Sequence, residues 1–127
     1  MREALKSDFY FEAVSVLHGY VEKEMRGLLH LSVSVKRQIP LNVGWDANEK
    51  LTFLSLAHVL YIIQEVDNDE YGILIGFNSL RNEIVHRFYQ DKYDGVGYQI
   101  SKTKLNSVLK RVLKLVEKIS RRSEEHV

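Results

Sequence analysis

The sequence contains no cysteine, which excludes disulfides, thiolate nucleophiles and cysteine-based zinc or iron–sulfur sites. Proline is almost absent as well, with one residue in 127, and no low-complexity tract marks a flexible linker. Neither sign of charge dominates, because eighteen Lys and Arg oppose seventeen Asp and Glu for a net charge of +1. Any attraction for a polyanion must therefore come from one part of the surface.

Long hydrophobic runs are also missing. The most apolar segment, 51–63, holds thirteen residues including polar ones, whereas a bilayer-spanning helix needs ~20. The N-terminus is charged and does not resemble a signal peptide. We therefore expect a cytoplasmic protein with no membrane span, folded as a single domain over residues 1–127.

Apolar residues recur with the period of a helix in four segments. The predicted helices run from near the start to about His30, from a capping box at Asp46 and Glu49 to about Val66, from about Ile73 to Phe88, and from Ser101 to about Arg122. The predicted apolar face of the first helix consists of Phe9, Ala13, Val16, Leu17, Tyr20, Val21 and Leu28. Residues 31–45, which contain Pro40 and Gly44, are predicted to form a connection. The pattern predicts an all-α four-helix bundle.

The third predicted helix carries three polar residues of interest. Arg81 lies within its apolar arc, so we expect an ion pair inside the bundle with Glu22 or Glu12 of the first helix. Asn82 and His86 lie one turn apart on the side opposite the core.

Arg81, Asn82 and His86 form an R-x4-H pattern with a polar residue directly after the arginine. On the third helix of an all-α bundle, this pattern resembles the HEPN family. The resemblance implies a HEPN-like four-helix bundle that acts as a metal-independent endoribonuclease, as toxins and phage-defence effectors of the family do. It implies a homodimer with both motifs in one cleft, RNA as substrate, an antitoxin protein as a further partner, and no cofactor. Phe88 stands where some family toxins carry a modifiable tyrosine, so that form of regulation is not expected.

The residue types also suit RNA cleavage without reference to the family. The imidazole of His86 can transfer a proton near neutral pH, and the guanidinium of Arg81 can bind phosphate oxygens through two hydrogen bonds. Asn82 can orient the imidazole or bind a phosphate oxygen. Three further histidines, His18, His30 and His58, lie on separate segments without clustered carboxylates, and we interpret them as structural. No metal is therefore implied.

Positive charge is concentrated near the C-terminus, where residues 101–122 contain eight Lys or Arg and one Glu. Lys110, Lys114, Lys118 and Arg121 recur at helical spacing and are predicted to bind the RNA backbone. Tyr89 is predicted to stack on an unpaired base. The alternatives are a solvated outer helix face for the basic residues and a core or dimer contact for the tyrosine.

A second function stays open. A HEPN-like module without catalysis would bind RNA, a nucleotide or a partner protein. The presence of all three motif residues favours the enzyme.

Overall fold

The structure, a computed structural model, describes residues 2–94 and 102–125, with side chains over 11–40, 42–86 and 104–125. It confirms the predicted all-α fold. The elements are α1 (Arg2–Leu31), a π-helical turn (Ser32–Lys36), α2 (Leu41–Glu49), α3 (Phe53–Ile62), α4 (Asn68–Asp94) and α5 (Lys102–Glu125). Over the described residues, no helix combines the length and the apolar character needed to cross a bilayer.

Four of the five helices found in the described ranges share the core. α1 packs against α3, α4 and α5, while α4 packs against α3 and α5. α2 packs against α1 and the π-helical turn, and its described side chains add no large apolar group to the core. The large, fully buried side chains include Met25, Leu28, Leu56, Leu60, Leu74, Phe77, Ile84, Leu105 and Ile119.

The buried face of α1 matches the predicted one only in part: Val21 and Leu28 are buried as predicted. Its buried side chains recur every three or four residues: Val14, His18, Val21, Met25 and Leu28. Val16 and Tyr20, which the apolar pattern places in the core, are 73% and 46% exposed. The predicted face lies about 90° away because it leaves out a buried histidine.

The predicted helix from Asp46 to Val66 is wrong at its start, since residues 50–52 separate α2 from α3. Asp46 lies inside α2, whereas α3 begins after Thr52, whose Oγ1 accepts a hydrogen bond from the Ser55 amide at 3.3 Å. Arg26 of α1 stabilises this break by donating to the carbonyl of Leu51 at 3.1 Å. This hydrogen bond joins residues 25 positions apart, so the local sequence pattern around Leu51 could not indicate it.

Residues 31–45 are largely helical rather than a simple connection, which corrects the prediction. The π-helical turn continues α1, and α2 begins directly after Pro40. Between them the backbone reverses at Gln38, whose φ is 56°. Ser32 is buried in the turn and donates from Oγ to Oε1 of Glu65 at 2.9 Å. A distant carboxylate thus stabilises helical structure where local residues suggest a loop.

The turn between α3 and α4 is closed by a reciprocal capping box. Oδ1 of Asp67 accepts from the Glu70 amide, and Oε1 of Glu70 accepts from the Asp67 amide, both at 2.9 Å. Arg122 of α5 then binds the same Glu70 carboxylate through two hydrogen bonds of 3.0 and 2.6 Å. The beginning of α4 is therefore fixed to the end of α5, which sets the position of the helix carrying the R-x4-H pattern.

Candidate nucleic-acid site

All three residues of the R-x4-H pattern lie on α4, which is continuous from Asn68 to Asp94. It is the fourth α-helix rather than the third, because the predicted second helix is two helices. Asn82 and His86 are exposed, as the helical wheel predicts, and Arg81 is half-buried beside the core.

Arg81 has a different environment from the predicted one. Among the described side chains, no carboxylate lies within ion-pair distance of its guanidinium. Glu22, the expected partner, pairs instead with Arg26 at 3.1 Å, and Glu12 is exposed. Nη1 of Arg81 donates to Oδ1 of Asn82 at 3.2 Å, while its buried Nε has no partner among the described residues. The ion-pair prediction is therefore wrong.

The Arg81 side chain lines a pocket of about 350 Å³ between α1, α3 and α4. α1 contributes His18 and Glu22, the start of α3 contributes residues 52–54, and α4 contributes Asn78 and Arg81. Most of these lining groups are polar. The pocket is not suggested by the R-x4-H pattern, because two of its three walls come from other helices.

His18 is a buried polar residue in the α1 wall of this pocket, and only 7% of its surface is exposed. Its Nε2 lies 3.0 Å from Oδ1 of Asn78, and its ring stacks on Phe53 with centroids 4.1 Å apart. Burial is the main cause that lowers the pKa of His18; the charge of Arg81 lowers it further, while Asn78 and Glu22 oppose the shift. We expect a neutral imidazole at pH 7 that donates to Asn78.

From the sequence alone we interpret His18 as structural, with no connection to Arg81. A signal was available, because His18 lies in register with Val14, Val21 and Met25 on the buried face of α1. A histidine at such a position needs a hydrogen-bond partner. The identity of that partner, Asn78 on α4, depends on how the helices pack.

His86 does not line the Arg81 pocket. The two residues are five positions apart on α4, which places them about 7.5 Å apart along the axis and about 140° apart around it. One copy of the chain therefore places the guanidinium and the imidazole on different sides of the same helix.

The predicted basic residues of α5 form a continuous exposed face: Lys110, Lys114, Lys118 and Arg121. The next residue, Arg122, is half-buried on Glu70 and does not belong to it. Tyr89 falls within α4, but its side chain lies outside the described residues. Over the described side chains, no three histidine or carboxylate groups come close enough to ligate one metal ion.

No protein-family model, curated protein or solved structure matches this chain. Its resemblance to the HEPN family therefore depends on the Arg81, Asn82 and His86 pattern and on its helical context.

Proposed function

We propose that the chain is a metal-independent endoribonuclease of HEPN type. The observation that carries the proposal is the guanidinium of Arg81, which no described carboxylate neutralises and which bonds to exposed Asn82 on the helix that also carries exposed His86. An arginine beside the core with no carboxylate partner among the described side chains is poorly explained as a structural group, because its charge adds no ion pair to the fold. It is well suited to an anionic ligand.

In the proposed reaction the 2′-oxygen of a ribose attacks the adjacent phosphorus and the bond from phosphorus to the 5′-oxygen breaks. The products are a 2′,3′-cyclic phosphate and a free 5′-hydroxyl. His86 takes the proton of the 2′-hydroxyl and passes it to the leaving 5′-oxygen, Arg81 stabilises the charge on the phosphate oxygens, and Asn82 orients the imidazole or binds an oxygen. No other reactant is needed.

A homodimer completes the proposed site. Because His86 and Arg81 lie about 140° apart around α4, a second copy is needed to bring one imidazole and one guanidinium to the same phosphate. Light scattering should give about twice 14.8 kDa at micromolar concentration. A monomer under these conditions would contradict this arrangement.

The proposed setting follows from the family resemblance. A cytoplasmic toxin or phage-defence effector would cleave cellular RNA and be restrained by an antitoxin protein. The exposed basic face of α5 supports RNA binding, because evenly spaced lysines can follow a phosphate backbone.

The decisive test is incubation of the purified protein with RNA in EDTA, with His86→Ala as the variant. We expect cleavage in EDTA, and a loss of about 10²–10⁴-fold in the variant, which lacks the proton-transfer group. His58→Ala is the matched control, because His58 is also an exposed helical histidine. Cleavage that persists in His86→Ala, or that EDTA abolishes, would contradict the proposal.

A non-catalytic binding module is the second candidate. It is favoured by the absence of His86 from the pocket that contains Arg81. RNA or nucleotide binding that depends on Arg81, with no cleavage by the parent protein, would identify this function instead.

A further inference from the structure

The pocket between α1, α3 and α4 has an unbalanced positive charge. Its two charged residues are Arg81 and Glu22. Arg26 neutralises the carboxylate of Glu22 at 3.1 Å and is itself held by the carbonyl of Leu51. The charge of Arg81 has no such balance among the described side chains, so the pocket favours an anion.

The rest of the pocket offers neutral hydrogen-bonding groups. Asn78 uses its amide oxygen to accept from His18, which leaves its NH₂ group able to donate to a ligand. The first turn of α3 also lines the pocket, and the first N–H groups of a helix have no partner within that helix. An anion that accepts several hydrogen bonds at once suits this arrangement.

We propose that this pocket binds a phosphate group, anchored by Arg81 and hydrogen-bonded by Asn78 and the start of α3, with the ring of His18 in the pocket wall. A volume of about 350 Å³ is sufficient for a phosphate with part of its ester. The site shares Arg81 with the proposed ribonuclease, but its assignment does not require that the chain cleave RNA.

Binding at this site is coupled to a proton on His18. The charged and polar groups that face the imidazole are Arg81 and Asn78 from α4 and Glu22 from α1, with the ring of Phe53 from α3 beneath it. A bound phosphate offsets the charge of Arg81 and favours the imidazolium form. Phosphate should therefore raise the pKa of His18.

Titration of the folded protein with inorganic phosphate, followed by NMR of the histidine rings, tests the site. We expect saturable shifts of the His18 signals and a higher pKa for His18 at saturation, while the exposed ring of His58 stays unchanged. Absence of a saturable change at His18, or an equal change at both rings, would overturn the proposal.

Two substitutions with opposite expected effects separate binding from misfolding. Arg81→Gln should weaken phosphate binding by about tenfold or more, because it removes charge-assisted hydrogen bonds. Glu22→Gln should strengthen it by about two- to fivefold, because it removes the one negative charge from the pocket wall. Arg111→Gln, which removes the same charge from an exposed position on α5, is the control and should leave affinity unchanged. Weaker binding in Glu22→Gln would contradict the site.

The source of the phosphate is resolved by comparing a nucleoside monophosphate with a 2′-O-methyl oligoribonucleotide that has no terminal phosphate. Shifts at His18 with the first alone assign a terminal phosphate, and shifts with the second assign a backbone diester. No shift with either would overturn the proposal for nucleic-acid phosphates. Phosphate binding without RNA cleavage would disprove the proposed ribonuclease while supporting this site, and cleavage without any effect on His18 would do the reverse.

Discussion

Arg81 and Arg122 are both half-buried arginines on long helices, yet their surroundings differ. Arg122 donates two hydrogen bonds to the Glu70 carboxylate and a third to the carbonyl of Glu65 at 3.0 Å. The hydrogen bonds to Glu70 raise the pKa of Arg122 above its ordinary value. Among the described residues, Arg81 has one side-chain hydrogen bond, to the neutral side chain of Asn82. The first arginine is compensated within the fold, whereas the second has unused capacity for a ligand.

The difference extends to the groups around each arginine. Glu65 accepts from Ser32 at 2.9 Å and from Lys36 at 3.1 Å, so the region around Arg122 is a network of charges balanced within the chain. In the pocket beside Arg81, the carboxylate of Glu22 is already paired with Arg26. This network joins the π-helical turn, α4 and α5, while the charge of Arg81 is balanced by no carboxylate among the described side chains.

Of the substitutions that compare the two arginine regions, Arg81→Ala should have the largest effect, on activity. Loss of the phosphate-binding guanidinium should lower RNA cleavage by about 10²–10³-fold, as removal of a transition-state donor usually does. Stability should change by less than about 1 kcal/mol, since no described buried carboxylate is left unpaired. Cleavage assays and urea unfolding on the same preparations measure the two effects. A large loss of stability would show that Arg81 resembles Arg122 after all.

Arg122→Ala should show the opposite result. Removing it leaves the buried carboxylate of Glu70 without its cation, and the free energy of unfolding should fall by about 3 kcal/mol. Cleavage per folded molecule should be retained. Glu70→Gln is the second variant, because it keeps the shape of the site and should destabilise less. A variant that is inactive but fully stable would contradict the structural role of Arg122.

The pH dependence of stability is a finer test of the region around Arg81, because that region contains His18. The folded pKa of His18 lies below its ordinary value of 6.5, so below about that pH the unfolded chain binds more protons. The contribution of His18 is therefore complete above pH 6.5 and is lost as the pH falls, with a slope of at most about 1.4 kcal/mol per pH unit. His18→Gln should remove this component from urea-unfolding curves recorded between pH 7.5 and 5. An unchanged slope would disprove the lowered pKa.

The smallest expected effect concerns the basic face of α5. Replacing Lys110, Lys114 and Lys118 with Gln should weaken RNA binding and reduce the salt slope by about 2, since each phosphate contact on single strands contributes ~0.7. The exposed residues Lys23 and Lys50 provide the control double substitution. If binding and slope do not change, the α5 lysines are only a solvated face.

Periodicity predicted α4 and α5 well because both are long and repeat their apolar residues every three or four positions. It failed where tertiary bonds override local preference. The break before α3 depends on Arg26, and the π-helical turn depends on the contact between Ser32 and Glu65. Arg26 lies 25 positions from Leu51, and Ser32 lies 33 positions from Glu65.

Some features of the candidate site likewise follow from the sequence, and others follow only from how the helices pack. The sequence by itself determined that Arg81, Asn82 and His86 share one helix and that Asn82 and His86 face solvent, because helical geometry fixes both. Only the tertiary structure decided that Glu22 pairs with Arg26 rather than Arg81, and that His18 and Asn78 meet beside the guanidinium of Arg81. Several partners are compatible with each charged or polar side chain in the sequence. The packing of α1 and α3 against α4 selects one of them, because only groups brought within hydrogen-bond distance can interact.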